Sequence, residues 1–155
     1  YNRGVGGFTT AEMLEHMETC VYALRPARIF LNIGTNDMNP ADYRKEELMA
    51  RYEKMVQEIL ARLPGVQLTL LAYYPVNHEA ACDDSWFFYR TNERICEANE
   101  AVKALSQKYS LGFLDLNAPL MDEKGRLKAE FTIDGVHMYP NGYQEVWKQL
   151  AGILQ

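Results

Sequence analysis

The sequence predicts an α/β domain in which helices cover a parallel sheet in three layers. Three observations carry that reading. Short, nearly continuous apolar runs of strand length occur along the 155 residues, longer amphipathic periods lie between them, and the two kinds alternate without a linker, a repeat or a low-complexity tract. Near-continuous apolar runs suit strands buried on both faces, and strand–helix alternation gives right-handed crossovers around one sheet. One domain over residues 1–155 is expected, long enough to bury a real core.

Taken in order, the chain opens on a glycine-containing stretch, Asn2-Arg3-Gly4-Val5-Gly6-Gly7. After the polar Thr9-Thr10, the residues Met13, Leu14, Met17, Val21 and Leu24 recur at helical spacing. Ala27 to Ile33, between Pro26 and Gly34, is the first expected strand. Leu48, Tyr52, Met55, Val56, Ile59, Leu60 and Leu63 form the clearest helical period, stopped by Pro64-Gly65. Val66 to Ala72 is the second strand, and Ile95, Ala98, Val102, Leu105 and Tyr109 mark the next helix. Leu111 to Leu116 is the third strand, and Tyr143, Val146, Trp147, Leu150 and Leu154 close the chain as a helix after Pro140-Asn141-Gly142. Sheets of this kind usually have about five or six strands. The expectation is therefore a sheet whose N-terminal strands are missing from this chain.

Composition narrows the function. A net charge of −5 with scattered Lys and Arg gives no footprint for nucleic acid. No apolar run approaches the ~18 residues of a membrane span. Cys20, Cys82 and Cys96 are odd in number and lack CxxC spacing, which fits reduced thiols, a cytoplasmic setting and no metal site.

Three clusters lie where an α/β sheet places ligands, beyond the carboxyl ends of strands. They are the Gly4–Gly7 stretch, Gly34-Thr35-Asn36-Asp37, and Asp134-Gly135-Val136-His137. An Asp three residues before a His can orient an imidazole acting as general base. Backbone N–H groups of a glycine loop can hold an oxyanion or a phosphate, and an Asn amide can add a donor. Each cluster also has a plainer reading: a tight glycine turn, an Asn-Asp turn with an N-cap, and a surface turn carrying a solvated His.

In order and spacing, Asn-Arg-Gly-Val-Gly-Gly, Gly-Thr-Asn-Asp and Asp-Gly-Val-His resemble the second, third and fifth sequence blocks of the SGNH hydrolase superfamily, the GDSL-like lipases and acylhydrolases. The resemblance covers essentially the whole chain. It implies a flavodoxin-like sheet of order 2-1-3-4-5, from which this chain would retain strands 3-4-5. It also implies serine-dependent hydrolysis of esters, with a small-molecule ester as partner and neither cofactor nor metal. By resemblance, His137 is the general base, Asp134 the acid that orients it, and Gly7 N–H with the Asn36 amide form the oxyanion hole. Phe8 departs from the acidic residue many members carry after that glycine. The first block, Gly-Asp-Ser, is absent, and neither Ser85 nor Ser106 nor Ser110 follows a strand in a suitable turn. The nucleophile is therefore expected outside this chain, with the exposed first strand pairing with a missing N-terminal segment or with another copy.

Other residues have open roles. Trp86, Phe87, Phe88 and Tyr89 either wall a pocket or begin a helix that packs on the core. His16 and His78 read as surface residues. Two other functions compete: an inactive relative that binds carbohydrate or lipid, and a flavodoxin-like protein that binds phosphate or nucleotide on the Gly4–Gly7 loop.

Overall fold

In a computed structural model, which describes residues 1–154, three strands form one parallel sheet in the order β1-β2-β3. β1 is Arg28–Leu31, β2 is Gln67–Leu71 and β3 is Gly112–Leu114. Ile29 faces Leu68, and Leu70 faces Phe113. This is the expected α/β parallel sheet, with each strand trimmed at its ends relative to its apolar run.

The helices fall where the helical periods lie, with one exception. α3 (Lys45–Arg62) and α4 (Asn92–Lys108) turn Leu48, Tyr52, Met55, Val56 and Ile59, and Ile95, Ala98, Val102 and Leu105, onto the sheet. α5 (Pro140–Leu154) follows the last loop. The single helix expected after Thr9-Thr10 is instead two pieces, α1 (Thr10–Glu15) and α2 (Met17–Cys20). The break has a local cause. The ring Nδ1 of His16 takes the Glu12 carbonyl at 2.9 Å, and the His16 N–H turns to Met13 O at 3.0 Å. A tightened i→i−3 bond at this point ends the α-helical ladder.

β3 shows how the layers divide. Phe113 packs on the large core built with α3 and α4, whereas its neighbour Leu114 packs on a second cluster of Leu116, Leu120, Leu127 and Val146 under α5. Adjacent strand residues point to opposite faces, so helices cover both. Of the helical period that closes the chain, Val146 is buried and Leu150 packs on the same cluster, whereas Tyr143 and Trp147 are exposed on α5. Among the described residues β1 pairs only with β2. A groove of about 800 Å³ runs along its other edge, past Ile29, Phe30 and Ile33, to Gly4, Phe8 and Asn36. No helix among the described residues is long and apolar enough to cross a membrane.

Candidate active site

The carboxyl ends of β1 and β2 lead into irregular segments that are tightly held. Tyr73 N–H donates to Asn99 Oδ1 at 2.7 Å, and Asn117 Nδ2 donates to Tyr73 O at 2.9 Å. The Asn92 amide brackets both backbone groups of Val76 at 2.8 and 2.9 Å. Side-chain amides thus replace the missing ladder, so backbone that would otherwise be orphaned is satisfied beyond the strand. The Tyr73 hydroxyl reaches Ile33 O at 2.8 Å beneath Gly34. A methyl at Gly34, where φ is +117°, would stand 2.7 Å from that hydroxyl and from Leu48 Cδ1, so only glycine fits this turn.

The Asp134–His137 turn docks on this frame. Asp134 Oδ1 accepts the N–H groups of Val136 at 3.0 Å and His137 at 2.8 Å, while its Oδ2 sits 2.7 Å from His137 Nδ1. Thr132 Oγ1 closes the turn, accepting from Gly135 N at 2.9 Å and donating to His137 O at 2.9 Å. Burial raises the Asp134 carboxyl, but the hydrogen bonds from the His137 ring and from the two backbone N–H groups prevail and hold it below the usual carboxylate range. An ionised carboxylate only accepts, so Nδ1 carries the imidazole proton and Nε2 keeps its lone pair. The His137 side chain is 69% exposed, so that lone pair faces solvent.

Asn36 opens a 3-10 turn, Asn36–Met38, in the loop that follows β1. Its Nδ2 donates to Phe8 O at 2.9 Å, which ties the strand-end loop to the glycine stretch beside Gly7. One of the two amide hydrogens is used there, which leaves the second. Gly7 has φ +82°, is exposed, and has open space where a Cβ would be. Asp37 is not the N-cap of its own turn. Its buried carboxylate crosses to α1, accepting from Thr10 N at 2.8 Å and Thr10 Oγ1 at 2.5 Å, with Arg51 Nη2 at 3.2 Å. Glu12 closes a capping box with Thr9 at the same helix end. Two carboxylates thus occupy the start of α1, which disfavours a phosphate there.

The aromatic run divides. Phe87 is fully buried, whereas Trp86, Phe88 and Tyr89 are exposed. Trp86 lies flat on the His137 ring, with centroids 5.7 Å apart and planes 14° apart. His78 is half-buried between Asp84 Oδ2 at 2.9 Å and Arg90 O at 3.1 Å, stacked on Phe87, so it braces this loop. Arg90 belongs to none of the three sequence clusters. It is 2% exposed, and its guanidinium donates to Asn36 Oδ1 and Asn39 Oδ1, each at 2.9 Å, while lying 5.7 Å from the Trp86 ring. Its only mark in the sequence is its place as a lone cation ending an aromatic run.

The serines lie elsewhere. Ser106 Oγ donates to Lys103 O at 2.7 Å, and Ser110 turns the chain between α4 and β3 at the amino end of the sheet. Ser85 is held by Asp83, whose carboxyl its hydrogen bonds lower. Cys82 and Cys96 are exposed and unpaired, and Cys20 is half-buried.

A His–Asp turn and an Asn–glycine loop pair thus meet beyond the strand ends, where an α/β sheet holds its ligands. The chain belongs to the GDSL-like lipase/acylhydrolase family, whose model matches residues 1–145. All of it superposes on 72% of a Streptococcus pneumonia protein described as a candidate platelet activating factor, at 33% identity and a TM-score of 0.91. An acetylxylan esterase from Geobacillus stearothermophilus shares the fold, at 18% identity and a TM-score of 0.74 over 96% of this chain and 68% of that one. The chain is also 26% identical to the N-acylneuraminate cytidylyltransferase of Escherichia coli O18:K1:H7 (strain RS218 / NMEC), over 99% of this chain but only 35% of that protein. It therefore spans about a third of that curated relative's length.

Proposed function

We propose that this chain supplies the base and the oxyanion hole of a serine-dependent ester hydrolase acting on small acyl esters, with acetylated carbohydrate as the substrate class. The observation that carries the reading is the Asp134–His137 pair, bonded at 2.7 Å with Nε2 left free toward solvent. In this reading the Nε2 lone pair takes the proton of a serine hydroxyl as that oxygen attacks the ester carbonyl, and the imidazolium then protonates the departing alcohol. Asp134 stabilises the imidazolium. The developing oxyanion is met by Gly7 N–H and the second amide hydrogen of Asn36. Water then releases the acyl group by the same proton path. These steps need only protein groups.

The nucleophile in this account lies outside the 155 residues, because the hydroxyls of Ser85 and Ser106 are bonded elsewhere and Ser110 lies at the far end of the sheet. The acetyl ester assignment draws on the shared fold of the acetylxylan esterase. The test is steady-state hydrolysis by the native full-length protein of p-nitrophenyl acetate, p-nitrophenyl octanoate and an acetylated xylooligosaccharide. Turnover of the acetyl substrates, falling to background in His137→Ala, supports the reading. Equal rates for the two proteins would overturn it.

A further inference from the structure

We propose that Arg90 is a positioning residue for ester hydrolysis, fixing the Asn36 amide so that its free N–H points at the oxyanion. This rests on the role given to Asn36 in the proposed function. The amide of an asparagine can turn over, exchanging its donor and acceptor ends. Here both ends are read. The Arg90 guanidinium, which only donates, lies on Oδ1 at 2.9 Å, and the Phe8 carbonyl, which only accepts, lies on Nδ2 at 2.9 Å. A flipped amide would set N–H against a cation and oxygen against oxygen. The orientation is thereby locked before substrate arrives, which is what an oxyanion donor requires.

The guanidinium is itself fixed. Asn39 Oδ1 takes Nε at 2.9 Å, and the Trp86 ring lies alongside at 5.7 Å. The same indole stacks with the His137 imidazole, their centroids 5.7 Å apart. One buried side chain thus ties the oxyanion donor to the base. Arg90 makes no ion pair with a carboxylate within 4.0 Å among the described residues. A cation 2% exposed and hydrogen-bonded only to neutral amides is an expensive way to fill a core, since burial penalises it without a full counter-charge. Burial draws its pKa down to about 10, opposed by the Asp134 carboxylate, so it remains a cation at neutral pH. That charge polarises the Asn36 amide and strengthens its N–H as a donor.

The test is a double-mutant cycle in the native full-length protein, with Arg90→Met and Asn36→Ala made singly and together. In the presence of Asn36, Arg90→Met is expected to lower kcat by roughly 10–100-fold with KM nearly unchanged, and in the Asn36→Ala background to change kcat by less than about threefold. Equal losses in both backgrounds, or a loss confined to KM, would overturn the proposal. If Arg90→Met gives no cooperative melt, Arg90→Lys, which keeps a cation and a donor, takes its place under the same two criteria. A protein without esterase activity would sink the proposed function instead. The proposal would then be read from the side-chain NH2 resonances of Asn36, assigned by their loss in Asn36→Ala. They are expected to shift and exchange faster in Arg90→Lys, and an unchanged pair would refute the contact.

Discussion

Gly135 and Asn77 are in direct backbone register. Asn77 N–H donates to Gly135 O at 2.8 Å, and a methyl on Gly135 would collide with the Asn77 carbonyl oxygen and with Phe87. At φ +86°, glycine is also the residue that this turn takes without strain. The turn carrying His137 therefore stands where the segment after β2 puts it. Gly135→Ala should cost about 1–3 kcal/mol from the backbone strain alone. For a chain of this size that lowers Tm by roughly 3–10 °C, measured by calorimetry. An unchanged Tm would mean that the turn is free of Asn77.

In the proposed mechanism Asn36→Ala removes one oxyanion donor, and it takes from Arg90 its Oδ1 partner. In the native full-length protein kcat should fall by roughly 10²–10³, with a smaller change in KM because the donor acts mainly on the transition state. Steady-state kinetics on p-nitrophenyl acetate decide it. A variant with wild-type kcat would remove Asn36 from the site.

Asp134→Asn separates chemistry from folding. An asparagine Oδ1 can still accept the Val136 and His137 N–H groups, so the turn persists. Its NH2 would face Nδ1, forcing the proton onto Nε2 and removing the lone pair of the proposed base. The loss in kcat should approach roughly 10⁴, the size of this tautomer change in Ser-His-Asp triads. The pH dependence follows from the sign of the shift. The folded carboxyl is held below its ordinary value, so its contribution to stability is present above about pH 4 and lost as pH falls through the folded value. As pH falls below about 4 and the carboxylate is protonated, the Tm difference between wild type and Asp134→Asn should shrink. A gap left unchanged as the carboxylate is protonated would contradict the assigned ion.

The free edge of β1 gives a solution prediction. Its backbone groups border the 800 Å³ groove, and an unpaired edge invites another strand. The 155-residue chain by itself is expected to associate or aggregate, independent of salt. Light scattering that finds a dilute, cooperatively unfolding monomer would show that water satisfies this edge.

The sheet was legible because its strands are near-continuous apolar runs between Pro and Gly, as in Val66 to Ala72. The Asp134–His137 pair was legible because both partners sit in one turn, three residues apart. Arg90 was not. Its partners Asn36 and Asn39 lie more than 50 residues away, and no local spacing marks a cation destined for burial. The same applies to Asp37, whose Asn-Asp pair reads as a local turn but whose carboxylate caps a helix 27 residues upstream. The break at His16 escaped because apolar periodicity continues through it, while the cause is one ring nitrogen taking one carbonyl. Helical spacing groups Trp147 with Val146, yet only Val146 is buried, because spacing gives a stripe and not the width of the neighbour that covers it.

The central claim is that His137 activates a serine supplied from outside these residues. Mass spectrometry of the native full-length protein after treatment with a fluorophosphonate probe tests it most directly. The account predicts one adduct, on a serine outside residues 1–155, and no adduct in His137→Ala. A protein that labels on no serine, or that labels equally well without His137, would contradict it.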